Sequence, residues 1–175
     1  MKTVLTLLIA MLIAAPVWAQ QKMKIGFVDV QRAIGMSQAG KLADKNFQAD
    51  VQKIEGSLNK EKDELEQLKA DLDKKGLLLN EEQKRNLERE FQRRYLEYQR
   101  KVRDSQDDLR IKRNEAMGEI LKGIEASAAE VGKKENFTLI LTRNQLLYVD
   151  QGVDITQKVV DLYDSRITDG KVQNK

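Results

Sequence analysis

Three acidic doublets, Asp63-Glu64, Glu81-Glu82 and Asp107-Asp108, are the residues of this chain best suited by type to acid–base chemistry. Two carboxylates become an acid and a base only where a cleft drives one pKa away from the other. Each doublet sits instead in a run of mixed charge, the composition of a solvated helix. The chain has no histidine and no cysteine. That removes the commonest general base, the thiolate nucleophile and the usual zinc ligands. No glycine-rich phosphate loop occurs, and the lone Gly118, Gly123 and Gly132 are read as weak points or close packing in a helix. The expectation is a protein that is not an enzyme and uses no cofactor or metal. What remains is binding.

The basic residues carry more information. Residues 76–113 hold 11 Lys and Arg against 8 Asp and Glu, whereas residues 38–75 hold 8 against 9. Arg85, Arg89 and Arg93 recur every four residues, which lines like charges along one stripe of a helix at a cost of a few tenths of a kcal/mol per pair. An ordinary solvated face, with Glu81 and Glu90 nearby, accounts for the stripe as well as an anion-attracting one does. Lys74, Lys75, Lys84 and Arg94 extend it around a turn that also carries Leu78. These eight residues are the candidates for contact with a partner.

The elements that must carry them follow from periodicity. The chain opens on Lys2, an apolar run from Val4 to Ala15, and Val17-Trp18-Ala19. This pattern predicts a signal peptide cleaved after Ala19, hence export. Twelve apolar residues are too few to span a bilayer, which needs about 20. Without cysteine the exported chain takes neither a lipid anchor nor a disulfide. Export also removes it from nucleic acid, so an unfolded polypeptide, or weak contact with anionic lipid, fits the basic face better.

Apolar residues from Phe47 through Val51, Ile54, Leu58, Leu65, Leu68 and Leu72 to Leu79 alternate steps of four and three, with Glu61 and Lys75 on two seam positions. That is a heptad seam. A second series runs from Phe91 through Tyr95, Tyr98, Val102 and Leu109, slips near Lys112-Arg113, and resumes from Met117 to Val131. Each stripe is too narrow to stand alone in water, so the two helices pair as an antiparallel hairpin. The turn at 76–80 is read as a Schellman ending, with Gly76 left-handed and Leu77 on Leu72, followed by an Asn80/Gln83 capping box. Leu78 is left exposed at the tip.

The rest of the chain forms a small head. Ile25–Val30 and Phe137–Arg143 are β-prone, Leu146–Val149 is expected as a third strand after an Asn144-Gln145 connection, and Asp154 with Gln157 is expected to cap a last helix. The fold class is therefore α+β. Residues 20–37 and 135–167 make the head, 38–134 the arm, and 168–175 a frayed tail. So small a head buries little apolar surface alone, so it is expected to oligomerise through its sheet. Candidate contacts are Ile25, Phe27 and Val28 from the first strand, Leu139 and Leu141 from the second, and Leu147 and Val149 from the third.

The segments "KIGFVDVQRAI", "GLLLNEEQ" and "LLYVDQGVDITQKVVDLY" resemble the Skp/OmpH family of periplasmic chaperones, with Tyr148-Val149-Asp150 and Asp154-Ile155-Thr156 the most specific parts. The resemblance implies a jellyfish-shaped homotrimer whose three arms enclose a cavity around unfolded outer-membrane β-barrel proteins, held without ATP. It supplies no catalytic residues, and a lipopolysaccharide site of some members maps onto no particular residue. A coiled-coil spacer or structural protein of the cell envelope would share the hairpin.

Overall fold

A computed structural model describes residues 23–76, 78–143 and 146–168. The signal peptide, Leu77, the Asn144-Gln145 connection and most of the tail lie outside the described residues. The elements in order are β1 (Ile25–Val28), α1 (Val30–Met36), α2 (Gln38–Lys75), α3 (Glu81–Lys134), β2 (Leu139–Thr142), a 3-10 turn (Gln151–Val153) and α4 (Thr156–Thr168). The molecule is mostly helical, with two long helices and one small sheet.

The sheet has two strands, and they run parallel, Ile25 opposite Leu139 and Val28 opposite Thr142. Parallel strands cannot be joined by a tight turn and need a long crossover. Here the crossover is the entire hairpin. On its other edge β1 bridges to Asp154, and the Ile155 N–H donates to the Phe27 carbonyl at 2.9 Å. The third strand expected at Leu146–Val149 does not form in the isolated chain. Leu146 N–H closes a turn onto Arg143 O at 3.1 Å, but Leu146–Val149 does not go on to pair along the outer edge of β2, the edge a hairpin would use.

The two long helices match the seam. α2 runs 38 residues and α3 54, so the first is about 57 Å long and the second about 24 Å longer at ~1.5 Å per residue. That excess is spent inside the head, where Ile120, Ile124 and Val131 of α3 are buried with Val28, Ala33, Ile155, Val159, Val160 and Tyr163. Polar groups in this core are satisfied: Thr156 Oγ1 accepts from Asp29 N–H at 2.9 Å, and Ser127 Oγ donates to Gly123 O at 2.9 Å.

The turn corrects one expectation and supports another. Gly76 is right-handed (φ −57°, ψ −23°), and its N–H donates to Leu72 O at 2.9 Å. A Cβ there would lie 2.4 Å from the Leu72 oxygen, so glycine answers a close approach rather than a positive φ. The left-handed ending occurs instead after α3, where Asn136 takes φ 56° and Phe137 N–H reaches back to Gly132 O at 2.9 Å. Asparagine tolerates that region, and the 6→1 bond is the Schellman signature. The capping box forms as expected, with Gln83 N–H on Asn80 Oδ1 at 2.9 Å and Asn80 N–H on Gln83 Oε1 at 3.3 Å. For α4 it does not: Asp154 accepts from Thr156 N–H at 2.8 Å, while the Gln157 amide turns to Asp161.

Two interleaved ion pairs close the head. Asp29, 5% exposed, caps Arg32 N–H at 3.0 Å and accepts from Arg143 Nη1 at 2.8 Å, while the Arg32 guanidinium pairs with Asp154. Hydrogen bonds from Arg32 N–H and then Arg143 hold the Asp29 carboxyl below the usual range despite its burial. Burial alone would raise Asp154, but Thr156 and Arg32 outweigh it and lower it. Outside the core, Glu135 is lowered by Lys158 and then Lys24.

Two predictions follow from this packing. A Cβ at Gly123 would lie 2.3 Å from Tyr163 Cε2, whereas one at Gly118 meets nothing within 4 Å. Gly118→Ala should therefore stabilise by ~0.5–1 kcal/mol through helix propensity, and Gly123→Ala should destabilise by about 1–3 kcal/mol through overpacking. Urea unfolding checks the pair, and a Gly123→Ala protein as stable as the wild type would refute the Tyr163 contact. The second concerns acid. Asp29 and Asp154 are depressed in the folded state, so their contribution is complete above the unfolded carboxylate pKa of about 3.9 and is lost as pH falls through the lower folded values. Thermal midpoints should hold from neutral pH to about 5 and fall steeply below about 4, and Asp29→Asn should lower the plateau and flatten the fall.

Candidate functional site

The parallel register sorts the sheet's side chains onto two faces. Gly26, Val28 and Ile140 turn toward the core: Val28 is buried in it, Ile140 packs against it, and a Cβ on Gly26 would touch Ile155 and Phe137 at 3.0 Å. The other face carries Ile25, Phe27, Leu139 and Leu141. On that face Ile25 and Leu139 remain 40% and 45% exposed, and Leu141 is half-buried. Phe27 is buried, lining a hollow of about 230 Å³ with Leu146, Leu147, Tyr148 and Val149. Leu147 and Tyr148 then stand out into solvent. Of the seven head candidates, the protomer's own interior takes Phe27 and Val28, Leu141 and Val149 are half-covered, and Ile25, Leu139 and Leu147 are open. Tyr148, which sequence reasoning used only as a family mark, belongs with the open set. Nothing in its spacing separates it from a core residue.

The arm is held by its seam and by ion pairs across it. Leu65 is buried and its seam neighbours are half-buried. Glu61 pairs with Lys101 of the facing helix, Asp50 with Lys112 at 3.2 Å, and Glu64 with Arg94 at 3.9 Å. The polar seam position at Glu61 thus has a partner, which disfavours sliding of one helix along the other. The slip near Lys112-Arg113 is used the same way, since Arg113 sits over the Phe47 ring at 5.2 Å.

These pairs divide the basic candidates. Arg94 is committed to the arm, bonded to Glu90 at 3.1 Å as well as to Glu64, and Arg93 pairs with Glu97 at 2.9 Å. Arg89 leans on the Asn86 amide. Lys74, Lys84 and Arg85 make no ion pair among the described residues, and the Lys75 side chain lies outside them. Leu78 is 87% exposed at the tip. The end of the arm thus carries Lys74, Lys84, Arg85 and one exposed leucine, interspersed with Asp73, Glu81, Glu82 and Glu88, which also make no ion pair among the described residues. The hollows along the arm are open, and those at mid-arm are lined mainly by charged and polar side chains such as Glu61, Glu64 and Lys101. Among the described residues no cluster of acidic side chains is placed to hold a metal, and no helix is long and apolar enough to cross a membrane.

Sequence reasoning missed the Asp29–Arg143 and Arg32–Asp154 pairs. Their members are separated by 114 and 122 positions, and the pairing depends on how the hairpin returns the chain.

No curated protein matches the sequence. A solved structure described as a putative outer membrane chaperone (OmpH-like) from Caulobacter crescentus shares the fold, with a TM-score of 0.77 over 82% of this chain and 85% of that one, at 21% identity. A family model described as outer membrane protein (OmpH-like) matches residues 24–163, which takes in both pieces of the head and the whole arm. The resemblance seen in the sequence is thereby confirmed, and the chain belongs to the OmpH-like outer membrane protein family.

Proposed function

We propose that this protein is an ATP-independent holdase of the periplasm, which binds unfolded outer-membrane β-barrel proteins between helical arms and keeps them from aggregating. One observation carries the proposal. A single chain combines an apolar sheet face left open on the head with an arm about 57 Å long that has its own ion-paired seam. The open face calls for further copies of the chain, since fully burying one leucine or isoleucine is worth roughly 1.5–3 kcal/mol. Three copies, the number the family implies, would set three arms around a common space. Membership of the family supports this reading, and the structural neighbour's description as a putative outer membrane chaperone agrees with it.

Capture needs no shaped pocket. Many weak contacts along mobile side chains hold an unfolded chain without selecting a sequence. Unpaired charge at the tip, from Lys74, Lys84, Arg85 and Arg89, would draw in acidic segments of the client. Exposed charges are screened over ~8 Å at physiological salt, so this attraction speeds encounter more than it deepens binding. The same charges would give weak contact with anionic lipid.

The direct test dilutes a urea-denatured β-barrel protein into buffer containing the purified protein and no nucleotide. Light scattering should be suppressed, and unaltered scattering would favour a spacer role. Arg85, Arg89 and Arg93 changed together to Glu should slow client association on the order of tenfold at low salt and leave the oligomer intact. An on-rate indifferent to both salt and the triple change would reduce the stripe to a solvated face. Leu139→Asp should dissociate the oligomer while the protomer stays folded, because Leu139 is already half in solvent within one chain. An oligomer that survives this change would move the interface elsewhere.

A further inference from the structure

The two helices of the arm are rooted in the head in different ways. α3 needs no joint, because it runs unbroken from the tip into the core. α2 starts afresh after a sharp corner at Ser37. That residue is wholly buried, donates its N–H to Ala33 O at 3.0 Å and its hydroxyl to Ile34 O at 2.9 Å, and accepts Gly40 N–H at 3.0 Å. A Cβ on Gly40 would lie 1.8 Å from Ile34 O, so the corner admits no side chain there. The first N–H of α2 is satisfied from elsewhere. Gln38 N–H donates to the Asp164 carboxylate of α4 at 3.0 Å, across 126 positions of sequence.

The neighbours of Asp164 grip the other root. Tyr163, 3% exposed, lies against Gly123 of α3, and Arg166 pairs with Glu130 of α3 at 3.0 Å. Three residues within one turn of a short helix, Tyr163, Asp164 and Arg166, thus hold both halves of the arm. A carboxylate at the N-terminus of α2 also opposes the positive end of that helix's dipole.

We propose that Asp164 is a positioning residue, tying the separate root of α2 to α4 so that both helices of the arm leave the head as one rigid body. The proposal rests on the holdase reading only for its purpose, a cavity wall that keeps its place. The chain has no native cysteine, so Lys45→Cys on α2 and Gln157→Cys on α4, both exposed, accept nitroxide labels alone. Labelled chains diluted into unlabelled oligomer report the distance within one protomer by pulsed electron resonance.

The unaltered protein should give one narrow distribution. Asp164→Ala should widen it about twofold, and so should Gln38→Pro, which deletes the donor at a first-turn position where proline is well tolerated. Combined, the two changes should add little beyond either alone, as expected for partners in one bond. Asp164→Asn keeps an acceptor and should restore most of the narrowness. The thermal midpoint should move little throughout, which a general loosening of the core would not allow. Widths unchanged in both Asp164→Ala and Gln38→Pro would overturn the proposal, and the second variant decides if the first fails to fold. Unchanged widths with intact suppression of client aggregation would remove the positioning role alone. Widths that behave as stated in a protein that suppresses nothing would remove the holdase reading alone.

Discussion

Two strands paired in parallel cannot be linked by a turn, and in this chain the crossover from β1 to β2 leaves the head after α1 and comes back through the last turns of α3. The arm is that excursion. Its outgoing and returning helices must pair with each other because neither has an apolar stripe wide enough to stand alone, and they must return in register because the strand pairing admits only one alignment, Ile25 with Leu139. Seam ion pairs such as Lys101–Glu61 and Lys112–Asp50 fix that register along the arm. A slip of one heptad one way would set Glu61 against Asp108 and Asp50 against Glu119, and the other way would leave Asp50 opposite Ser105. The head and the arm are therefore one construction. The division between them runs through the interior of α3, whose last turns carry Ile120, Ile124 and Val131 into the core.

The same constraint sets where polar chemistry goes. Among the described residues the one buried charge is Asp29, at the joint between the two pieces of the head, where it meets Arg143 beside the Arg32–Asp154 pair. Each carboxylate is bonded by backbone N–H as well as by a guanidinium, so its burial costs little. Elsewhere charge is solvated. The arm's surface is built for contact, with its interior reduced to a thin seam, and a binding activity spread over many side chains suits that architecture better than a shaped site.

Much of this was legible in the sequence because long helices are written in period. The heptad steps gave both helices, their pairing and the Asn80/Gln83 box, and the apolar runs located both strands that form. What the sequence did not disclose follows from contacts distant along the chain. Leu146–Val149 has a strand's composition, but within the single chain it lies beside Phe27 and in solvent instead of pairing along β2. Gly76 looked like a left-handed cap because glycine usually serves there, whereas the left-handed residue is Asn136, where the chain must turn from α3 into β2. Arg93 and Arg94 read as free charge until the facing helix and the next turn supplied Glu64 and Glu97. The ties of Asp164 and Arg143 span more than a hundred positions and leave no periodic trace.

The account's central claim is that an open sheet face gathers several chains and that the gathered arms, rather than any one arm, hold the client. Native mass spectrometry of the protein mixed with an unfolded outer-membrane β-barrel protein tests it most directly. The account predicts that client appears only on assembled oligomers, one client to a fixed number of chains, with no client on free protomers. Client carried by single chains, or oligomers that carry none, would contradict it.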